Sequence, residues 1–445
     1  MKKDGKTENR LQANALESFR RCTQDGAVNS QLVLQARQQS AAIDWTGIGT
    51  VLLTGQLFGD KMPFEKIYAK GTEQKIPDKE FTYSDITDLY TVYNDLIDSV
   101  VKKIPEDISS VMGISGGRDS RSILLSIDRN EKRIPGLVTS KHFVDRLREA
   151  DVEIALTLSS RFNANIQVVE QPTDRFRLEW NKNIKTGMQT LSHSWGLAFA
   201  DVLDDSDVLY DGMNGGVLFG RANLLRRYLR KHGSHRPRKN EFVEFVLTHL
   251  VDTPLKKMEW LPDNLFGKSV IEEIRENIKA CAELYVDYPN PFQAFLYGEH
   301  VYRDTRLFTY GLMPNEYVVC PLDSGEMVQF ALSLPWEVSS DYFFQNHAIN
   351  YRHPDFADIP FTEQLDEKTQ SWHPDEKNES ESWQKIRKII QPEISQQGID
   401  YLDQNYATLG IIQQTALLAQ AYCWEKYGDI PEFSFFQEKN NLYPP

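Results

Sequence analysis

The chain has 445 residues, 40% hydrophobic and 11% aromatic, which is room for two or three domains and at least one large core, and unlike a disordered chain. Fifty lysines and arginines against 64 aspartates and glutamates leave a formal charge of −14, which disfavours general affinity for nucleic acid or an anionic membrane. Cys22, Cys281, Cys320 and Cys423 stand far apart with no CxxC pair, so neither a zinc cluster nor a disulfide framework is indicated, and a reducing cytoplasm is the simplest compartment.

Residues 1–40 are polar, a weak helix or loosely ordered lead-in. Met1 to Arg10 lacks the apolar core of a secretory signal, and no apolar run approaches the roughly 20 residues that span a bilayer. Val51 to Asp60 has an apolar start and turn residues at its end, and Phe64 to Tyr68 alternates like a strand. Ser84 to Lys103 carries apolar residues at helical spacing and predicts one long amphipathic helix. A short apolar run, Ile108 to Ile114, ends in a Gly-rich turn, and Arg121 to Ile127 follows as a helix. Ile134 to Thr139 is a second strand, Asp151 to Phe162 a helix, Ile166 to Val169 a third strand and Val208 to Tyr210 a fourth. Strands alternating with helices imply βαβ units, hence an α/β fold with a parallel sheet covered on both faces. Beyond residue 221 the pattern is mostly helical, broken by the basic stretch Arg221 to Lys239 and the polar stretch Glu367 to Ser382.

The chemistry concentrates in Ser115-Gly116-Gly117-Arg118-Asp119-Ser120, between a predicted strand and a predicted helix. Such a turn aims backbone N–H groups and the positive end of a helix dipole at one spot. Gly116 and Gly117 have no Cβ to keep an anion away, and Ser115 and Ser120 bring hydroxyl groups. Asp119 cannot hold phosphate directly, but it can hold Mg²⁺ that bridges phosphates. The plainer reading is a strand-to-helix turn capped by Ser or Asp. The length of the string and its strand–helix setting favour phosphate.

This loop resembles the pyrophosphate loop of the N-type ATP pyrophosphatases, and two later segments resemble the asparagine synthetase branch. Leu209 to Gly220 looks like that family's strand followed by S-G-E-G-S-D-E-x-F-G-G. Val319-Cys320-Pro321-Leu322-Asp323, with Phe330 to Pro335 after it, is similar to the V-P-F-L-D segment and its following helix. Asp151 to Phe162 resembles the helix after the second strand, and Leu53 to Tyr68 looks like the last strands of the family's glutaminase domain. The resemblance implies a remnant of an Ntn-type glutaminase domain over 1–80 and an ATP pyrophosphatase domain with a five-stranded parallel sheet over 81–445.

It also implies an ATP-dependent amidoligase that activates a carboxylate as an acyl-adenylate, with ATP and Mg²⁺. Ser115, Gly116, Gly117, Asp119 and Ser120 would hold pyrophosphate, Val138 would offer backbone groups to adenine, and Gly212 would sit beside the α-phosphate. The carboxylate would be a small molecule or a peptide, the nitrogen would come from ammonia or an amine, and the family leaves room for a homodimer. The chain departs from the family at three places. Position 2 is Lys2 instead of the nucleophilic cysteine, so the chain's own glutamine hydrolysis is not expected. Gly215-Gly216-Val217 stands where the family has S-D-E, which leaves Asp119 with only Asp211 as a substitute metal partner. Lys368 and Lys377 lie where a catalytic lysine is expected, but neither sits in a recognisable motif.

These departures motivate a rival reading, a catalytically impaired nucleotide-binding partner protein. A tRNA-modifying enzyme is a third, disfavoured by the acidic charge and the lack of paired cysteines. Other features favour bland roles. The eight Lys or Arg in the nineteen residues Arg221 to Lys239 suit a solvated face, and His232 and His235 lack a third metal ligand. His193, in Thr190 to Gly196, is a candidate base but better suits packing or capping, and Arg303, Asp304 and Arg306 suit a structural ion cluster.

Overall fold

The computed structural model describes residues 44–59, 80–106, 108–141, 146–171, 178, 182, 194–203, 208–220, 223–257, 268–305, 307–315, 317–362, 387 and 396–405. The first element, α1 (Trp45–Thr54), is a helix. The Asp44 carboxylate caps it, accepting from Thr46 N at 2.9 Å and Gly47 N at 3.1 Å, and Gly55 at φ +87° ends it. The β character expected around Leu53 is therefore corrected: Leu53 and Thr54 finish a helix, while Phe64 to Tyr68 lies outside the described residues. A short apolar run fits either structure locally, and here tertiary packing decides. Thr46 Oγ1 donates to Glu273 at 2.6 Å, Gly59 N donates to Glu299 at 2.8 Å, and Val51, Leu53, Leu57 and Phe58 join the main core.

The chain then runs through α2 (Ile86–Lys102), β1 (Ser110–Gly113), α3 (Arg118–Arg129), β2 (Gly136–Lys141), α4 (Arg146–Arg161) and β3 (Ile166–Glu170). It continues with α5 (Gly196–Ala200), β4 (Val208–Tyr210), α6 (Gly215–Leu218), α7 (Asn223–His232), α8 (Lys239–Leu247), α9 (Lys268–Glu283), β5 (Tyr317–Val319), α10 (Gly325–Ser333) and α11 (Phe344–Arg352). The long amphipathic helix and the first four strands fall where the sequence places them. The five strands form one parallel sheet in the order β3-β2-β1-β4-β5.

Alternate residues of the central strands face two different cores. Met112, Leu137, Val208, Tyr210 and Val319 join one cluster, and Val111, Val138, Leu209 and Val318 the other. Burial on both faces is what a parallel sheet with helices on each side requires. The larger cluster continues through α2, α3 and the helical second half, while the smaller gathers Phe199, Met213 and Phe308 over the other face. Between α9 and β5 the helical backbone widens into π-helical stretches, Leu296–Thr305 and Leu307–Leu312. Among the described residues no helix is long and apolar enough to cross a membrane.

Candidate active site

The sheet order reverses at β1. The crossover through α3 puts β2 on one side of β1, and β4 returns on the other side, with Met112 opposite Tyr210. The loops after β1 and β4 diverge from the carboxyl ends of adjacent strands, and in open α/β sheets this switch point is where ligands bind. A cleft of about 370 Å³ opens there, lined by Ser115, Asp119 and Ser120 from the first loop and by Asp211, Gly212 and Gly216 from the second. The two motifs, about 90 residues apart in sequence, thus share one cavity, and Val138 at the end of β2 also lines it.

Helix α3 starts at Gly117, with φ −74° and ψ 177°, and no side chain caps its first turn. The plainer reading of a Ser- or Asp-capped turn is thus not what the backbone adopts. Within the loop, Gly117 N donates to Ser115 Oγ at 3.1 Å and Ser115 N donates to Ser120 Oγ at 3.2 Å. These bonds fix the loop's shape and turn both hydroxyls partly inward.

The open side expected at Gly116 is occupied: a Cβ there would lie 2.1 Å from Thr362 Oγ1 and 2.9 Å from Ile154 Cδ1. Thr362 N donates to Gly116 O at 3.0 Å, and its hydroxyl bonds Asp151, so packing against Thr362 requires glycine at 116. At Val138, which lines the cleft, the backbone carbonyl accepts from Ile114 N at 2.9 Å.

Asp119, half-buried, packs closely against the opposite loop. A Cβ on Gly212 would lie 2.9 Å from the Asp119 carbonyl carbon and Ser120 N, and one on Gly215 would lie 2.1 Å from Asp119 Oδ1. The absence of side chains at Gly212 and Gly215 is what lets the two loops meet. Sequence reasoning missed Gln345, fully buried on α11, whose amide donates to Asp119 Oδ1 at 2.9 Å and to the Tyr93 hydroxyl at 3.3 Å. It also missed the two buried arginines of the motif. Arg118 donates to the Tyr342 carbonyl and stacks 4.5 Å from the Tyr342 ring centre, and Arg121 donates to Ile359 O at 2.7 Å and Pro360 O at 2.6 Å. Neither lines the cleft.

Asp211 accepts from Thr309 Oγ1 at 3.0 Å and from Met213 N at 2.7 Å. Burial raises its carboxyl to about 6 despite these two bonds, and the charges of Asp119 and Asp323 add to the rise. Asn214, left-handed at φ +81°, donates to Asp323 Oδ1 at 2.5 Å, which also accepts from Tyr297 OH at 2.9 Å. Asp323 belongs to the V-C-P-L-D segment, so the third motif supports the second from beneath.

Among the described residues no group of three or more His, Cys, Asp or Glu side chains is placed to hold a metal ion. Two carboxylates facing one cleft fit the way Mg²⁺ is usually held, by one or two protein oxygens with phosphate and water completing the shell.

Most of the basic stretch lies at the surface, with Arg227, Arg230, Lys231, Arg236, Arg238 and Lys239 exposed, as the solvated-face reading expects. Arg226 stacks 4.9 Å from the Tyr342 ring centre, Arg236 donates to Tyr288 O at 2.8 Å, and Lys239 pairs with Asp287. His235 meets the Tyr228 hydroxyl at 2.9 Å, and His232 stacks on the Tyr228 ring at 4.8 Å. Both packing roles match the bland reading. His193, Lys368, Lys377 and Cys22 lie outside the described residues, as do the side chains of Arg303, Asp304 and Arg306.

No protein-family model matches the chain, and a search of curated proteins finds no match.

Proposed function

We propose that the protein is an ATP-dependent amidoligase that activates a carboxylate as an acyl-adenylate. The observation carrying this reading is the meeting of the loops after β1 and β4 in one cleft at the sheet's switch point. The uncapped first turn of α3 gives the pyrophosphate of ATP a set of backbone donors. Asp119 and Asp211 would hold Mg²⁺, which would supply positive charge to the phosphates in a cleft whose described lining residues include no lysine, arginine or histidine. The Val138 side chain forms part of the wall against which adenine would pack.

In the reaction a carboxylate oxygen attacks the α-phosphorus, and the bond to the bridging oxygen breaks as pyrophosphate leaves. An amine nitrogen then attacks the acyl carbon, the C–O bond to phosphate breaks, and AMP leaves with the electron pair. The chain's part is to fix the phosphates on the α3 turn, orient Asp119 through Gln345, and shield the acyl group from water.

The test is exchange of labelled pyrophosphate into ATP across a panel of carboxylates. Exchange that disappears in Asp119→Ala is the expected result. ATP binding without exchange for any carboxylate would replace this reading with the nucleotide-binding partner protein. Gly216, lining the cleft where the resembling family carries an aspartate, is the observation that keeps this second reading in view.

A further inference from the structure

Helices α2 and α11 pack side by side and share an outer face, away from the cleft. Among the described residues seven large apolar side chains are exposed, and three of them, Ile86, Phe343 and Tyr351, gather on this face. Phe343 is 44% exposed and Tyr351 51%. Ring distances trace one strip across it. Phe343 lies 5.0 Å from Tyr342 and 6.4 Å from His347, and Tyr90 lies 6.3 Å from His347 and 5.9 Å from Tyr351. Ile86 is one helical turn before Tyr90 and extends the same side of α2. Apolar residues exposed together mark an interaction surface, where the same residues scattered singly would not.

The two ends of the strip carry opposite charge. At one end Arg226 lies 4.9 Å from the Tyr342 ring centre, and Arg230, one turn further along α7, is exposed. Arg226, Arg227, Arg230 and Lys231 form no ion pair among the described residues, although like charges at this spacing repel along a helix. At the other end Asp85 and Asp88 open α2, both exposed and likewise without an ion-pair partner among the described residues. Hydrogen bonds from Thr87 to Asp85 and from Ser84 to Asp88 hold both carboxyls below the usual range, so both are charged at neutral pH. Burial pushes the Tyr90 hydroxyl up, and the charges of Asp341 and Asp85 add to the rise, which ties the acidic end to the strip. Between the ends, Asp95 pairs with Arg352, and Asp341 accepts from Phe343 N at 2.9 Å.

A surface built this way is complementary to itself. A two-fold rotation about an axis through the aromatic middle lays the cationic end of one copy on the acidic end of the other, twice over, while the rings pack centre to centre. A partner of one charge sign would meet repulsion at one of the two ends. We infer that α2, α7 and α11 form the interface of a symmetric homodimer, with Phe343, His347 and Tyr351 at its centre and the α7 arginines facing Asp85 and Asp88. The same segment brings Gln345 to Asp119 and the Tyr342 carbonyl to Arg118, so the partner would rest on the helix that holds the loop after β1.

The test is sedimentation velocity of the full chain from about 1 to about 100 μM at low salt. The wild type is expected to pass from monomer to dimer and no further, with a midpoint near about 10 μM. Salt at about 0.5 M is expected to weaken the dimer about 10-fold by screening the charged ends. Phe343→Ser and Arg230→Glu are each expected to weaken it about 10-fold or more, while Leu284→Ser, at an exposed position just past α9, leaves it unchanged. A charge swap tests the symmetry. At about 10 μM an Arg230→Glu chain and an Asp85→Lys chain are each expected to stay monomeric alone, and to pair when mixed, because only the mixture sets opposite charges against each other at both ends. A wild-type chain that is monomeric throughout overturns the proposal and leaves the strip to a different partner. Growth past the dimer overturns the symmetry, and a dimer indifferent to Phe343→Ser and Arg230→Glu overturns the face. Folded swap variants that fail to pair overturn it as well. Asp85 also caps α2, so circular dichroism checks that the Asp85→Lys chain folds; where it does not, the Phe343 and Arg230 variants decide. The amidoligase reading stands or falls separately, on pyrophosphate exchange.

Discussion

The loop after β1 and the loop after β4 face each other across the cleft, yet they are held from behind by opposite chemistry. The first is anchored by cations: Arg118 and Arg121 reach away from the cleft to the carbonyl oxygens of Tyr342, Ile359 and Pro360. The second is anchored through carboxylates: Asp211 takes bonds from Thr309 and Met213, and Asn214 ties the loop to Asp323. As a result, the positive charges of the first motif are turned into the core, while the negative charges of both loops stay at the cleft. On the amidoligase reading, a polyphosphate here would depend on backbone dipoles and a divalent cation, since no lysine is among the described lining residues.

Removing the cationic anchor should have the largest effect. Arg121→Ala leaves the carbonyls of buried Ile359 and exposed Pro360 without this donor and uncovers the Phe361 ring, over which the guanidinium sits at 4.0 Å. The expected loss is about 4 kcal/mol in a urea titration, and an unchanged midpoint would show that the first loop is held some other way.

The carboxylate anchor should show itself through pH. The folded Asp211 carboxyl, raised from 3.8 to about 6, binds its proton more tightly than the unfolded one. Its contribution to stability is therefore full below about pH 4 and is lost as pH rises through about 6. Relative to Asp211→Asn, the wild type should lose about 3 kcal/mol between pH 4 and 8, read from denaturation at stepped pH. Parallel curves for the two proteins would show that folding does not raise the Asp211 carboxyl.

The contact between the loops is probed by Gly212→Ala. Its methyl meets backbone atoms of Asp119 and Ser120, which cannot swing away as a side chain can. A cost of about 2 kcal/mol and a fall in ATP affinity of about 10-fold are expected from denaturation and ATP titration. The smallest effect belongs to Thr309→Val, which removes one donor to Asp211 at nearly constant volume. About 1 kcal/mol is expected, with the pH transition moving upward because an interaction favouring the ionised form is gone.

The parts of this arrangement differ in how far local sequence reveals them. The strands β1 to β4 are legible because each is a short apolar run set between helix-period segments and turn residues. Helix α1 is not, since Val51 to Leu53 is apolar in either structure, although Asp44 before it and Gly55 after it are cap signals that local chemistry offered. The fifth strand was expected in number but not in place, because Tyr317–Val319 is only three residues long. In the site, the two glycine-rich loops are legible from their motifs. Gln345, Thr309, Arg118 and Arg121 are not, because each acts on a partner far off in sequence or turns away from the cleft its motif suggests.

The anchoring of the first loop also bears on how this chain can be cut. Residues 115–121 take their shape from contacts with Tyr342, Ile359, Pro360 and Thr362, more than 220 residues downstream. A fragment ending near residue 340 would contain every motif residue and all five strands, yet lack the acceptors that hold the arginines and the threonine that seats against Gly116. The two pieces produced by such a cut are natural halves for a split reporter. Neither would carry a finished loop after β1, and on the amidoligase reading reassembly would be read out by the return of ATP binding.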